Sequence, residues 1–280
     1  MKARKRFGQH FLQPAWVRKV VEAIGPEPGD AFIEIGPGTG ALTLALAAHP
    51  VAIVAVELDR DLLAGLRRAA PPNVRVVEGD VLRVDLEALS REVPGAPGGG
   101  ETTAPSVRVV GNLPYNISSP ILLRLAGLAR TSTVVRDATL MLQAEVAARV
   151  VARPGGGDYG PLSIAVQLRA DARLLLSLPA GAFRPAPKVR SALVSLSFRP
   201  LDVELADEAV FDAVVRAVFT QRRKTLSNAL RSFAAARGLD ADDVLAAVGL
   251  DGRRRPETLS RPEYARLANV LASAHPLSVL

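Results

Sequence analysis

Ala31-Phe32-Ile33-Glu34-Ile35-Gly36-Pro37-Gly38-Thr39-Gly40 reads as a buried strand running directly into a tight turn. The first half is apolar except for Glu34, and five residues is strand length. The second half carries glycine at alternate positions, which lets the backbone turn sharply and approach a ligand closely. Ala41–Ala48 then reads as a helix, so the unit is strand, turn, helix. The glycine spacing is not that of the dinucleotide fingerprint. Pro37 offers no backbone donor, which makes the turn a poor cradle for pyrophosphate.

The same alternation continues on the C-terminal side. Ile53–Leu58 is a second strand, and Asp59–Ala70 a helix capped by an acidic residue. Val74–Val77, Val107–Gly111 and Ala138–Gln143 are further strands. Strands alternating with helices predict an α/β fold with a mostly parallel sheet covered on both faces. Ser191–Phe198 alternates apolar with small or polar residues, as a half-buried final strand would. After Arg199-Pro200 the pattern changes to helical spacing in Phe211–Phe219, Lys224–Ala236, Asp242–Val248 and Arg261–Ser273. The expected domains are therefore residues 1–199 and a small all-helical domain of residues 200–280. Pro94–Ser106 and Pro154–Pro161, rich in Gly and Pro, read as surface loops.

Of the 280 residues, 49% are hydrophobic and 22% charged, the composition of a globular chain and not a disordered one. Cysteine is absent, which removes disulfides and thiolate metal sites. His10, His49 and His275 show no ligand spacing, so no metal is expected. The basic start lacks the apolar core of a signal peptide, and the apolar runs are too short to span a bilayer. A cytoplasmic, monomeric protein without a membrane partner is the expectation. A net charge of +7 suits a polyanionic partner. Lys2, Arg4, Lys5 and Arg6 form one basic cluster, Arg222, Arg223 and Lys224 a second, and Arg253–Arg255 a third.

Ligands of open parallel sheets bind beyond the carboxyl ends of the strands. Glu57 ends the second strand, at the spacing from the glycine turn where a carboxylate grips ribose hydroxyls. Asp80 follows the third strand and suits an adenine amine, or simply a turn. Gly111-Asn112-Leu113-Pro114-Tyr115-Asn116 follows the fourth. It sets an amide, a rigid proline and an aromatic ring in succession: an acceptor for an amino group, a fixed carbonyl, and a face for stacking a base.

Asn112-Leu113-Pro114-Tyr115 resembles the catalytic motif of amino-directed adenine methyltransferases. With Phe7-Gly8-Gln9-His10-Phe11-Leu12 the chain resembles the small-subunit ribosomal RNA adenine dimethyltransferases. Glu34–Thr43, Val56–Asp61, Met141–Arg149, Phe183–Val189 and Gln221–Leu230 agree, so the likeness spans nearly the whole chain. It implies a Rossmann-like class I methyltransferase sheet with a helical, RNA-binding C-terminal domain. It implies S-adenosylmethionine as cofactor, contacted by His10, Leu12, Gly36, Gly38, Glu57, Asp80 and Asn112. Asn112, Pro114 and Tyr115 would hold the adenine, with Phe183 on its other face. Arg222, Arg223 and Lys224 would meet RNA, and the partner would be small-subunit rRNA within the immature 30S subunit. His10 stands where the family more often has asparagine, Gly157 and Pro161 where basic residues are common, and Arg190 in place of an aspartate; residues 94–106 look inserted. The rival readings are a large-subunit adenine dimethyltransferase conferring antibiotic resistance, a non-catalytic ribosome assembly factor and a nicotinamide-dependent oxidoreductase. Leu113 and Gln221–Leu230 disfavour the first, Asn112–Tyr115 the second, and the alternate-glycine turn the third.

Overall fold

A computed structural model of the chain describes residues 10–94 and 106–273. The first elements are strand β1 (Phe11–Leu12) and helix α1 (Pro14–Ile24). Pro14 takes the first helical position, where its missing N–H costs nothing, and Gly25 ends the helix at a φ of 58°. Then follow β2 (Ala31–Ile35), α2 (Ala41–Ala47), β3 (Ala52–Glu57), α3 (Arg60–Ala69), β4 (Val74–Glu78) and α4 (Leu86–Arg91). Asp59 and Asp85 cap α3 and α4 by accepting from backbone amides. After them come β5 (Val107–Asn112), α5 (Ser118–Leu128), β6 (Val135–Gln143), α6 (Ala144–Val151), α7 (Pro161–Gln167), β7 (Ala170–Leu178), β8 (Phe183–Arg184) and β9 (Ser191–Phe198). The chain closes with α8 (Glu208–Thr220), α9 (Leu226–Ala235), α10 (Ala241–Ala247) and α11 (Arg261–Ser273).

Seven strands form one sheet in the order β4-β3-β2-β5-β6-β9-β7. Pairing is parallel from β4 through β6 and antiparallel where β9 meets β6 and β7. The expected strands are all present. β9 is more deeply set than its alternating pattern suggested, because it lies between two other strands. β7 had not been singled out. Its run Arg173-Leu174-Leu175-Leu176 has no period of two, and the pairing with β9 slips there, leaving Leu174 and Leu175 exposed. The sequence order reverses between β2 and β5, the place where such sheets open a ligand crevice.

On one face, Phe32, Ile53, Ala55, Val110, Met141 and Leu193 of the sheet share a buried cluster with Val20 and Ile24 of α1 and Leu42 and Leu46 of α2. At the opposite end from the glycine turn, Arg108 of β5 ties several segments together. Its guanidinium donates to Asp30 at 2.7 Å, to Asp137 at 3.1 Å and to the carbonyls of Ile24 and Gly25. Burial works against the Asp30 carboxylate, but the Glu27 amide, Arg108 and Arg136 outweigh it and hold its pKa below the ordinary value.

The chain divides into two compact units, and the division corrects the expected domains. The break near residue 200 stands, but Arg149–Leu168 belongs with the C-terminal helices and not with the sheet. The reason is packing: Tyr159, Ile164 and Leu168 are buried in the same cluster as Phe211, Val218, Leu230 and Tyr264. Within this helical unit Arg254 pairs with Glu263, whose pKa falls to about 2: burial opposes this, but the guanidinium and the Ser260 amide and hydroxyl prevail.

β5 approaches β2 so closely at Gly111 that an added Cβ would lie 2.5 Å from the Ile35 carbonyl oxygen. Gly111→Ala must push the two central strands apart, at a cost of about 1–3 kcal/mol. A urea unfolding midpoint unchanged in this variant would contradict that packing.

Candidate active site

The carboxyl ends of β2, β3, β4 and β5 border one cavity of about 340 Å³. All seven residues expected to touch the cofactor line it: His10, Leu12, Gly36, Gly38, Glu57, Asp80 and Asn112. Pro114 and Tyr115 line it as well. Sequence positions more than a hundred residues apart are brought together because parallel strands all deliver their ends to one edge.

The turn after β2 works through three positive φ angles: 65° at Gly36, 61° at Gly38 and 84° at Gly40. A side chain is strained in each of these conformations. The Gly38 amide donates to Glu57 Oε2 at 3.0 Å, fastening the turn to the end of β3. Glu57 Oε1 accepts from the amides of Leu58 and Asp59 at 2.9 and 2.8 Å. A carboxylate has about four acceptor sites. Three are used by backbone, so Oε2 keeps one for a hydroxyl of a ligand.

Asp80 Oδ1 accepts from the Leu82 amide at 2.9 Å, and Arg83 lies 3.7 Å from Oδ2. It is thus a turn aspartate that also borders the cavity. The N-terminal motif reaches the site through a two-stranded ribbon, Leu12 pairing with Phe183 and Phe11 with Arg184. A Cβ built on Gly38 would lie 3.1 Å from the Phe11 ring, which shows how closely the motif rests on the glycine turn.

Asn112 Nδ2 donates to the His10 carbonyl at 2.6 Å. That bond decides which way the amide faces, and it leaves Oδ1 as the atom available to accept. The Pro114 carbonyl already accepts from the Ile117 amide at 3.1 Å and retains a second lone pair. The Tyr115 hydroxyl shares a 2.8 Å hydrogen bond with Ser191, and burial pushes its pKa up. Its ring is stacked against that of His10, centroids 5.5 Å apart, while His10 Nδ1 donates to the Pro185 carbonyl at 2.7 Å.

One expected site residue is placed differently. Phe183 does not border the cavity; pairing of β8 with β1 leaves its side chain 1% exposed within the apolar cluster. Ser191 was missed, since no spacing links a serine in β9 to Tyr115. Glu34 was also missed, although an acid inside an apolar strand was visible. It is buried, and among the described residues its Oε2 and the Thr43 hydroxyl make no hydrogen bond of ordinary geometry, although the hydroxyl is close enough to act on the carboxylate. Burial pushes its pKa up to about 7; Thr43 opposes the shift and Glu57 adds to it.

In the helical unit, Arg223 and Lys224 are exposed on the turn between α8 and α9, one turn earlier than the helix expected to carry them. Arg222 donates to the Gly157 carbonyl at 2.5 Å, so it also holds that loop in place. Lys2, Arg4, Lys5, Arg6 and most of the 94–106 segment lie outside the described residues.

The donor set fits S-adenosylmethionine. Three carboxylates and two side-chain amides line the cavity, and among the described residues no lysine or arginine does. A cofactor with ribose hydroxyls, an adenine amine and positive charge matches these groups; a pyrophosphate does not. Glu57→Ala would strand three backbone amides and loosen the turn. Its affinity for labelled S-adenosylmethionine in equilibrium dialysis should fall at least tenfold, with a lowered Tm; unaltered binding would remove Glu57 from the site.

Residues 1–272 match the family model described as ribosomal RNA adenine dimethylase. The chain is 45% identical over 278 residues to ribosomal RNA small subunit methyltransferase A of Aromatoleum aromaticum, covering 98% of this chain and 96% of that protein. Against the protein of that name from Moorella thermoacetica it is 45% identical over 275 residues, covering 96% and 92%. A solved dimethyladenosine transferase from Plasmodium falciparum shares the fold at a TM-score of 0.71 and 22% identity, covering 92% of this chain and 96% of that one. The structure titled 23S rRNA methyltransferase ErmE shares it at 0.64 and 23% identity, covering 94% and 99%. With its strands ending on an acid-lined cavity and the Asn112–Tyr115 segment beside it, this chain belongs to the ribosomal RNA adenine dimethylase family.

Proposed function

We propose that this protein dimethylates the N6 amines of two adjacent adenines in a 3′-terminal hairpin of small-subunit rRNA, acting on the immature 30S subunit with S-adenosylmethionine as methyl donor. The observation that carries the reading is the Asn112 amide, held by the His10 carbonyl so that Oδ1 is left to accept a proton from a substrate amine.

The cofactor, when bound, supplies the electrophilic methyl group. The chain supplies position and polarity. An adenine amine is a poor nucleophile because its lone pair is delocalised into the ring. Asn112 Oδ1 and the free lone pair of the Pro114 carbonyl draw the two amine protons out of the ring plane. That localises the lone pair, and both acceptors bind most strongly as positive charge develops on nitrogen. Tyr115, anchored by Ser191, offers its ring for stacking. The proton lost from nitrogen passes to solvent. With Phe183 in the core, the second face of the base falls to other residues. Arg222, Arg223 and Lys224 give phosphate contacts that set affinity and register.

Two readings compete. Large-subunit rRNA as substrate deserves a parallel test, because a solved 23S rRNA methyltransferase shares the fold. A purely binding role in subunit assembly is the other. Incubation with labelled S-adenosylmethionine and small subunits lacking the modification, with large subunits alongside, separates all three. Dimethyladenine in small-subunit RNA alone supports the proposal. Label in the large subunit reverses the substrate, and binding without transfer leaves an assembly factor.

Asn112→Ala should lower turnover by about 10²–10³, as loss of one transition-state acceptor does, with RNA binding nearly intact. Turnover close to normal would sink the role given to Asn112. Arg222→Ala with Arg223→Ala should weaken RNA binding and flatten its dependence on log salt by roughly one to two units. An unchanged slope would mean that this turn does not touch phosphate.

A further inference from the structure

Asp80, Val81 and Leu82, which follow β4, form one wall of the cavity. β3 and β2 stand between β4 and β5, so the sheet does not join this wall to the segment that follows β5. The wall is a turn that doubles back on itself. The Asp80 carbonyl accepts from the amides of Arg83 and Val84 at 2.8 and 2.9 Å, and Oδ1 accepts from that of Leu82. Val84 comes back onto the end of β4, where a Cβ added to Gly79 would lie 2.5 Å from its Cγ1. Among the described residues no backbone amide donates to the carbonyls of Leu82 and Val84. Left to water, these two groups would do nothing to hold the turn in one shape. Arg124 on α5 meets both. Its guanidinium donates to the Leu82 carbonyl at 2.6 Å through one terminal nitrogen and to the Val84 carbonyl through the other. Its Nε is buried without a hydrogen-bond partner among the described residues, so the fork is taken partly out of water to make these bonds. The helix is the fixed member of the pair, since Ile121, Leu122 and Leu125 anchor it in the core. Arg124 itself does not border the cavity.

We infer that Arg124 is a positioning residue for the cofactor's base: by bridging the Leu82 and Val84 carbonyls it holds the turn so that the Asp80 carboxylate stays placed for the adenine amine. The inference rests on the reading that S-adenosylmethionine fills the cavity with its adenine at Asp80. Arg124 touches neither cofactor nor substrate and acts through the turn alone. A wall ordered before the ligand arrives loses no binding energy to its own ordering. Without the bridge the turn samples other shapes. The loss then falls chiefly on the hydrogen bond to the amine, because such a bond depends steeply on distance and angle. It falls less on the ribose, because Glu57 is held by the Leu58 and Asp59 amides, which Arg124 does not touch.

Calorimetric titration of the full-length protein with two ligands tests this. One is S-adenosylhomocysteine, the product left when the methyl group is transferred. The other is S-inosylhomocysteine, which carries a carbonyl in place of the adenine amine. The unaltered protein should prefer the first. Arg124→Met keeps an unbranched side chain and removes both donors. It should bind S-adenosylhomocysteine roughly tenfold more weakly and S-inosylhomocysteine less than about threefold more weakly, so that the preference shrinks. Arg124→Lys, with one ammonium to set between two carbonyls, should lie between Arg124→Met and the unaltered protein. A merely structural role would lower Tm and weaken both ligands alike; that result, or an unchanged preference in Arg124→Met, would overturn the inference. If Arg124→Met fails to fold, Arg124→Lys decides, and a preference equal to that of the unaltered protein overturns it. Failure of S-adenosylhomocysteine to bind the unaltered protein would overturn the cofactor reading. Equal affinity of the unaltered protein for both ligands would instead remove the adenine amine from Asp80, and the inference falls with either result.

Discussion

The hydrogen bond from the Gly38 amide to Glu57 is the constraint on which the site depends. It joins the turn after β2 to the last residue of β3, beyond the bond that the Gly36 amide already makes to the Val56 carbonyl. The turn needs left-handed backbone at Gly36, Gly38 and Gly40, and such a loop has little to hold its shape. The Glu57 carboxylate supplies the anchor, using three of its four acceptor positions on backbone. Phe11 then rests on Gly38, and the neighbouring His10 carbonyl orients Asn112. One carboxylate thus sets the turn, the turn seats the N-terminal motif, and the motif orients the Asn112 amide at the cavity wall.

Much of this was visible in the sequence, for identifiable reasons. The central strands are mostly apolar, interrupted by Glu34 and Arg108 and followed or closed by Gly36, Glu57 and Asn112, and the strand ends converge by topology alone. Glu57, Asp80 and Asn112 each sit at such an end, so their convergence needed no knowledge of side-chain conformation. β7 was not singled out because an unbroken Arg-Leu-Leu-Leu run carries no period, and a slip in pairing erased the alternation that would have marked it. The sharing of Arg149–Leu168 with the helical unit was invisible for a different reason. A chain that leaves a domain and returns is written only in long-range packing, here Tyr159, Ile164 and Leu168 among the tail helices.

Side-chain direction was the least legible quantity. An aromatic residue beside a motif reads as a stacking platform, yet Phe183 turns inward because its backbone is committed to pairing with Leu12. Tyr115 by contrast is held by Ser191, a residue 76 positions away with no motif of its own. Glu34 lay inside the quoted motif and was passed over, although an acid in the middle of a buried strand is a physical anomaly that calls for a cause. That it borders the cavity is something only the assembled site reveals.

The short ribbon between Phe11–Leu12 and Phe183–Arg184 bears on the order in which the molecule is made. The ribosome emits the first of these strands long before the second, and pairings so distant along the chain form late. Until residue 184 has emerged, the segment that completes the cavity has no strand to pair with. The central strands and the glycine turn can assemble earlier, but the pocket lacks this wall. Newly synthesised chains therefore gain their capacity to hold a small molecule only after most of the sheet exists, and such a ligand cannot help the early stages of folding.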